Sequence, residues 1–158
     1  MTDTVIDIPH FAVLHLRHVV LDYNGTLAKD GVLKDEVKAL LEPLIAKYRV
    51  HVITSDTFGS VASQLKAFDV HINVLKSEDH TAEKAAYLQS LDASTCVAIG
   101  NGANDSQMLR EALLGIALMG DEGCATQTLL SSRITCKHIK EALELLLYEK
   151  RLIATLRA

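Results

Sequence analysis

His18-Val-Val-Leu-Asp-Tyr-Asn-Gly-Thr-Leu27 is the stretch that decides how this chain folds. An unbroken apolar run leading into Asp22 has the pattern of a strand buried on both faces of a parallel sheet. Gly25 allows the backbone to turn sharply behind it. The segment YNGTLAKDG that follows has too many breakers for a helix. A buried strand ending on a carboxylate puts that group at the carboxyl edge of the sheet, where open α/β folds build their sites.

Reading outward, residues 4–8 and 12–21 predict strands around a turn at Pro9, the second beginning half-exposed, with Leu14 and Leu16 alternating against His15 and Arg17. Downstream, Val37, Leu40, Leu41, Leu44 and Ile45 form a one-face stripe that predicts a helix over 35–47, interrupted by Pro43. Strands follow over 49–54, 70–75, 95–99, 114–118 and 133–135. Helices are expected over 58–68, capped by Thr57, over 80–91, through Met108, Leu109 and Ala112, over 123–130, and through Ile139–Leu147. Strict alternation of strand and helix signals an α/β fold with a mostly parallel sheet covered on both faces.

The 158 residues suit one domain spanning 1–158, and 49% apolar content supplies a core without disulfides. A net charge of -4 with scattered Lys and Arg argues against nucleic-acid or polybasic membrane binding. Cys96, Cys124 and Cys136 are too sparse for a disulfide framework or a zinc site. No apolar run reaches membrane-spanning length, and MTDTVIDIPHF lacks the basic start and apolar core of a secretion signal. A cytoplasmic location is expected.

Four polar clusters fall where a parallel sheet would gather them: Asp22–Thr26, Thr54-Ser55-Asp56, the segment around Lys84, and Asn101–Asp105. A lone Asp after a strand caps turns more often than it catalyses; four such clusters in register with one fold point to a site. Asp22 is suited to ligate a cation or attack phosphorus. Thr54 offers a hydroxyl to phosphoryl oxygens, and Lys84 a compact positive charge. Asp105 is a hard oxygen ligand suited to magnesium. Together these are the parts of a phosphoryl-transfer site. For Lys84 the bland reading is a solvated helix lysine, and for Asp56 a helix cap. The seven histidines show no ligand spacing and read as packing or surface residues. Dinucleotide binding fails in detail: GNGAND is G-x-G-x-x-D and comes late in the chain. No Walker A motif is present, and a receiver-type acidic cluster would have to lie earlier than these residues allow.

With these motifs in place, the sequence resembles the haloacid-dehalogenase (HAD) superfamily of phosphotransferases, and within it the soluble proteins related to the phosphorylation domain of P-type ATPases. Asp22-Tyr-Asn-Gly-Thr-Leu27 matches the superfamily's D-x-D-G-T-L, Thr54-Ser-Asp56 is close to the ATPase T-G-D, and Lys84 matches the lone Lys. Gly100-Asn-Gly-Ala-Asn-Asp105 matches G-D-G-x-N-D, and GIALMGDEG also resembles the ATPase branch. The similarity runs from about residue 18 to 147. It implies a Rossmannoid three-layer sandwich with sheet order 5-4-1-2-3, Asp22 on the central strand, and a squiggle and flap over 23–33. Residues 1–17 would form an added N-terminal hairpin, 18–147 the core, and 148–158 a helical tail.

The resemblance further implies that Asp22 forms an aspartyl-phosphate, that Thr54 and Lys84 hold the phosphoryl group, and that Asp22, Asn24 (through its carbonyl), Asn101 and Asp105 ligate Mg2+. Two positions depart from the pattern. Asn24 stands where phosphatases carry the general acid–base Asp, and an amide cannot do that work. Asn101 stands where the fourth motif has a second Asp. The P-type ATPases also lack the first of these acids. The expectation is slow Mg2+-dependent phosphatase chemistry favouring good leaving groups; the alternative is a phosphate- or partner-binding protein that kept the scaffold. About thirty residues separate Asp22 from Thr54 and Thr54 from Lys84, which leaves no room for a cap domain. An open site suits a phosphorylated small molecule or a phosphoprotein, and closure by a second copy in a homo-oligomer, with the N-terminal hairpin as contact.

Overall fold

The computed structural model describes residues 2–158; Met1, first residue of the expected extension, lies outside the described residues. Strand β1 (Thr4–Ile8) pairs antiparallel with β2 (Ala12–Leu16) as a separate hairpin. The chain breaks at Arg17, so the expected 12–21 strand is two. Strand β3 (His18–Asp22) belongs to the main sheet. At Arg17 the backbone leaves the hairpin for the main sheet, its N–H and carbonyl bonding Thr95 and Arg49, while its guanidinium reaches Asp3 at 2.8 Å.

A two-strand flap, β4 (Ala28–Lys29) and β5 (Val32–Leu33), leads into α1 (Asp35–Lys47). Pro43 lies inside α1 without ending it; it sits on the exposed face. The chain then alternates through β6 (Arg49–Thr54), α2 (Ser60–Leu65), β7 (His71–Val74), α3 (His80–Ser90), β8 (Cys96–Gly100) and α4 (Ser106–Glu111). It closes with β9 (Leu114–Leu118), α5 (Thr126–Ser131), β10 (Ile134–Cys136), α6 (Ile139–Leu147) and α7 (Glu149–Leu156).

The main sheet runs β10-β9-β8-β3-β6-β7, and every pairing in it is parallel. Its inner five strands have the expected 5-4-1-2-3 order, and β10 adds a sixth at the edge. β3, β8 and β9 are buried almost throughout because both faces are covered. Val19 and Leu21 share one core with Leu41, Leu44, Leu143 and Leu146 of α1 and α6. Val20 and Ile53 face the other way, onto Leu88, Met108 and Leu109 of α3 and α4. The hairpin turns Ile6, Ile8, Leu14 and Leu16 into the first core and leaves Val5 and Val13 outside. Among the described residues no cap interrupts the alternation.

Helix α2 is shorter than expected, and Thr57 does not cap it. Gly59 occupies the cap position with φ 81°, and the Asp56 carboxylate takes the neighbouring N–H groups of Phe58 and Val61, each at 3.0 Å. Asp56 is therefore a structural acceptor, held low in pKa by its bonds to the Ser60 hydroxyl and these backbone groups.

Candidate active site

The carboxyl ends of β3 and β8 converge on one ammonium group. Lys84 Nζ, on the second turn of α3, donates to Asp22 Oδ1 at 3.0 Å, Asn104 Oδ1 at 2.9 Å and Asp105 Oδ1 at 2.8 Å. Lys84 is 3% exposed and Asp105 fully buried, which overturns the reading of Lys84 as a solvated helix lysine. Burial pulls the Lys84 pKa down, but the charges of Asp22 and Asp105 outweigh it and leave it raised. Burial, then the charge of Asp105, push Asp22 up to about 7 against the pull of Lys84.

Local sequence explains how Asp105 is held. Its Oδ2 accepts the N–H groups of Asn101 and Gly102, at 3.1 and 3.0 Å, closing a tight loop between β8 and the turn before α4. A Cβ on Gly100 would lie 2.4 Å from the Asp105 carboxyl, so only glycine lets the carboxylate fold back under the strand end. Gly25, at φ 77°, plays the matching part after Asp22, and its N–H closes onto the Ala28 carbonyl.

An open cleft of about 220 Å³ lies above this pair, lined among others by Asp22, Asn24, Thr54, Lys84, Asn101 and Glu122. The other residues singled out from the sequence thus surround one crevice, with Asp105 buried beneath it and joined to it through Lys84. Thr54 is 3% exposed, and its Oγ1 accepts the Asp56 N–H, so its own proton is free for the cleft. Asn24 lies exposed at the mouth. Tyr23, next to the candidate nucleophile in sequence, turns away from the cleft into the core and donates to the Gly31 carbonyl at 3.0 Å, anchoring the flap. Among the described residues, no three His, Cys, Asp or Glu side chains converge as a metal cluster. The oxygens that do converge, from Asp22, Asn104 and Asp105, already hold one cationic group between them. That donor set of hard oxygens with excess negative charge fits a magnesium ion.

No family model matches the chain. An uncharacterized protein of Methanocaldococcus jannaschii, MJ0073, is 46% identical over 87 residues, spanning 51% of this chain and 94% of that one. A Moraxella catarrhalis 3-deoxy-D-manno-octulosonate 8-phosphate phosphatase, solved with magnesium, phosphate and the sugar, superposes with TM-score 0.70 at 21% identity over 89% of this chain and 92% of that one. A putative HAD-superfamily hydrolase of Legionella pneumophila superposes at 0.68 with 16% identity, over 88% and 87%. The chain belongs to one family with the archaeal protein and has the capless HAD fold. A zinc-transporting PIB-type ATPase shares the fold too, with TM-score 0.63 and 16% identity over 78% of this chain and 20% of that one.

Within this HAD fold, sequence reading missed two features. Asn104 and Glu122 reach the site without having been singled out; Asn104 was visible inside GNGAND, and Glu122 inside GIALMGDEG. The histidines also proved to be organised. His18 Nδ1 and His51 Nε2 share a proton at 2.9 Å, His51 Nδ1 meets the Tyr87 hydroxyl at 2.7 Å, and His71 stacks on His51. His18, His51 and His71 lie on three adjacent strands, a proximity that spacing along the chain cannot reveal.

Proposed function

We propose that this protein is a magnesium-dependent phosphoryl-transfer enzyme, a slow phosphatase working through an aspartyl-phosphate on Asp22. The observation that supports it best is the Lys84 ammonium shared by Asp22 and Asp105 at the floor of an open cleft. Asp22, Asp105, the Asn24 carbonyl and Asn101 would hold Mg2+, which when bound neutralises charge on the phosphoryl oxygens.

In the proposed reaction an Asp22 carboxylate oxygen attacks phosphorus, and the bond from phosphorus to the leaving oxygen breaks. Lys84 and the Thr54 hydroxyl hold the phosphoryl oxygens in line. Water then cleaves the acyl phosphate and regenerates Asp22. Asn24 can neither protonate the leaving oxygen nor activate that water, a deficit of about 10²–10⁴-fold. Acyl and aryl phosphates should therefore turn over, and alkyl monoesters poorly. The uncapped cleft admits a phosphorylated small molecule, with a second copy closing the site, or a phosphoprotein. Three free thiols fit a cytoplasmic setting.

The test is aryl-phosphate hydrolysis with and without Mg2+, beside Asp22→Asn. Turnover that needs both the metal and Asp22 supports the reading. Phosphate binding without turnover would favour the non-catalytic alternative.

A further inference from the structure

The two carboxylates missing at Asn24 and Asn101 leave the cleft short of negative charge, and the loop after β9 brings one back. Asp121 is pinned by Lys34 at 2.7 Å, and Gly120 N–H donates to the Lys137 carbonyl at 2.7 Å. Beyond them, Asn101 grips the loop twice. Its Nδ2 donates to the Gly123 carbonyl at 3.0 Å, and its own carbonyl accepts the Ala125 N–H at 2.9 Å. Glu122 lies between these anchors, in the lining of the cleft beside Asp22 and Asn24. A Cβ placed on Gly25 would stand 2.5 Å from Glu122 Oε2 and 3.1 Å from Asn101 Nδ2, so glycine at 25 leaves the space this carboxylate fills. Glu122 has no ion-pair partner among the described residues.

The amide at 101 and the carboxylate at 122 are complementary. An aspartate at 101 would have no proton for the Gly123 carbonyl and would oppose it. An asparagine there makes the bond that presents Glu122. We propose that Glu122 supplies the negative charge toward the divalent cation that Asn24 and Asn101 do not carry, and that Asn101 is the positioning residue that holds its loop. The inference rests on the magnesium reading of the same cleft. Magnesium dehydrates reluctantly and keeps several waters, so a rim carboxylate acts on it by accepting from those waters. With Asp22 and Asp105 balanced against Lys84 the site carries one net negative charge; Glu122 makes it two, matching the cation.

The test is Mg2+ affinity by isothermal titration of the full chain, read without any substrate, with thermal melts to verify folding. Glu122→Gln should weaken Mg2+ binding about tenfold, the scale of a lost outer ligand. Glu122→Asp should keep affinity within about threefold, since it preserves the charge on a shorter arm. Asn101→Ala should weaken binding more than Glu122→Gln, because it removes a proposed ligand as well as the loop anchor, and should speed amide exchange at 120–125. Adding Glu122→Gln to Asn101→Ala should cost less than Glu122→Gln does alone, because the released loop no longer presents that carboxylate. Glu122→Gln binding Mg2+ within about twofold of the unaltered protein, while Asp22→Asn binds it far more weakly, would overturn this inference and spare the magnesium reading. Fully additive losses in the double variant would overturn the positioning role of Asn101. An unaltered protein that binds no Mg2+ would overturn both the inference and the reading beneath it.

Discussion

Strand β3 carries two buried polar constellations on one face, His18 at its start and Asp22 at its end, about 13 Å apart at strand spacing. Helix α3 answers both, with Lys84 bonded to Asp22 and Tyr87, one turn on, bonded through His51 to His18. The two ends solve burial in opposite ways. At the carboxyl end the acids are paired with an ammonium, Asp22 being raised to about 7, and the cleft leaves them open to a ligand. At the amino end burial, then the neighbouring histidines and Arg49, hold His51 down to about 4, and it is satisfied as a neutral ring. His18 is lowered too, by burial and then by Arg49 and Arg17. The lesson is that a buried titratable cluster is not a site by itself. A reactive group must also face open space, as Asp22 does and His51 does not.

The largest effect should come from removing the cation that joins the charged end. Lys84→Met leaves the Asp22 and Asp105 carboxylates facing each other. We expect a loss of about 3 kcal/mol by urea denaturation, the low end for a broken buried pair because Asp22 can take up a proton. Aryl-phosphate hydrolysis should fall by at least about 10²-fold. Unchanged stability would mean that the ammonium does not balance those charges.

The two ends should also respond to acid with opposite signs, measured in chelator. Asp22 binds its proton at about pH 7 when folded but near its ordinary 3.8 when unfolded, so between these values falling pH favours the folded chain. His51 is protonated near its ordinary 6.5 when unfolded and only at about 4 when folded, so its contribution is present above 6.5 and lost as pH falls to 4. Asp22→Asn removes the first response and should unmask the second, on the order of 3 kcal/mol of stability lost from pH 6.5 to 4. A flat profile in that variant would show that the imidazoles are not buried as neutral rings.

Asn24→Asp should sharpen the contrast by giving the open end its missing acid. Hydrolysis of aryl phosphates at saturating Mg2+ should rise by about 10²-fold, and alkyl monoesters should become substrates. A correctly folded variant with no gain would remove Asn24 from the explanation of slow turnover. The smallest effect is expected at Thr26, whose buried Oγ1 has no hydrogen-bond partner. Thr26→Val keeps the shape and removes that unmet group, so the melting midpoint should hold or rise slightly, within about 0.5 kcal/mol. A large loss would reveal a partner for the hydroxyl.

Most of the charged end was legible because its parts are local. Each strand with its polar tip reads as a unit, and the sheet order implied by the family resemblance brings the tips together. Lys84 was legible only through the resemblance, since nothing around it in His80–Ser90 distinguishes a buried lysine from a solvated one. The histidine network was illegible for the same reason, being assembled from residues 18, 51, 71 and 87 across three strands and a helix. Thr57 shows the remaining kind of miss: both it and Asp56 could take the N–H groups at the start of α2, and the backbone path through Gly59 gives them to Asp56.

The central claim is that Asp22 accepts a phosphoryl group. The direct measurement is intact-mass and peptide analysis of the protein after brief exposure to an acyl phosphate with Mg2+ and an acid quench. The account predicts a phosphoryl adduct on the peptide containing Asp22, absent without Mg2+ and absent in Asp22→Asn. An adduct that persists in Asp22→Asn, or turnover of the acyl phosphate with no adduct at any time point, would contradict it.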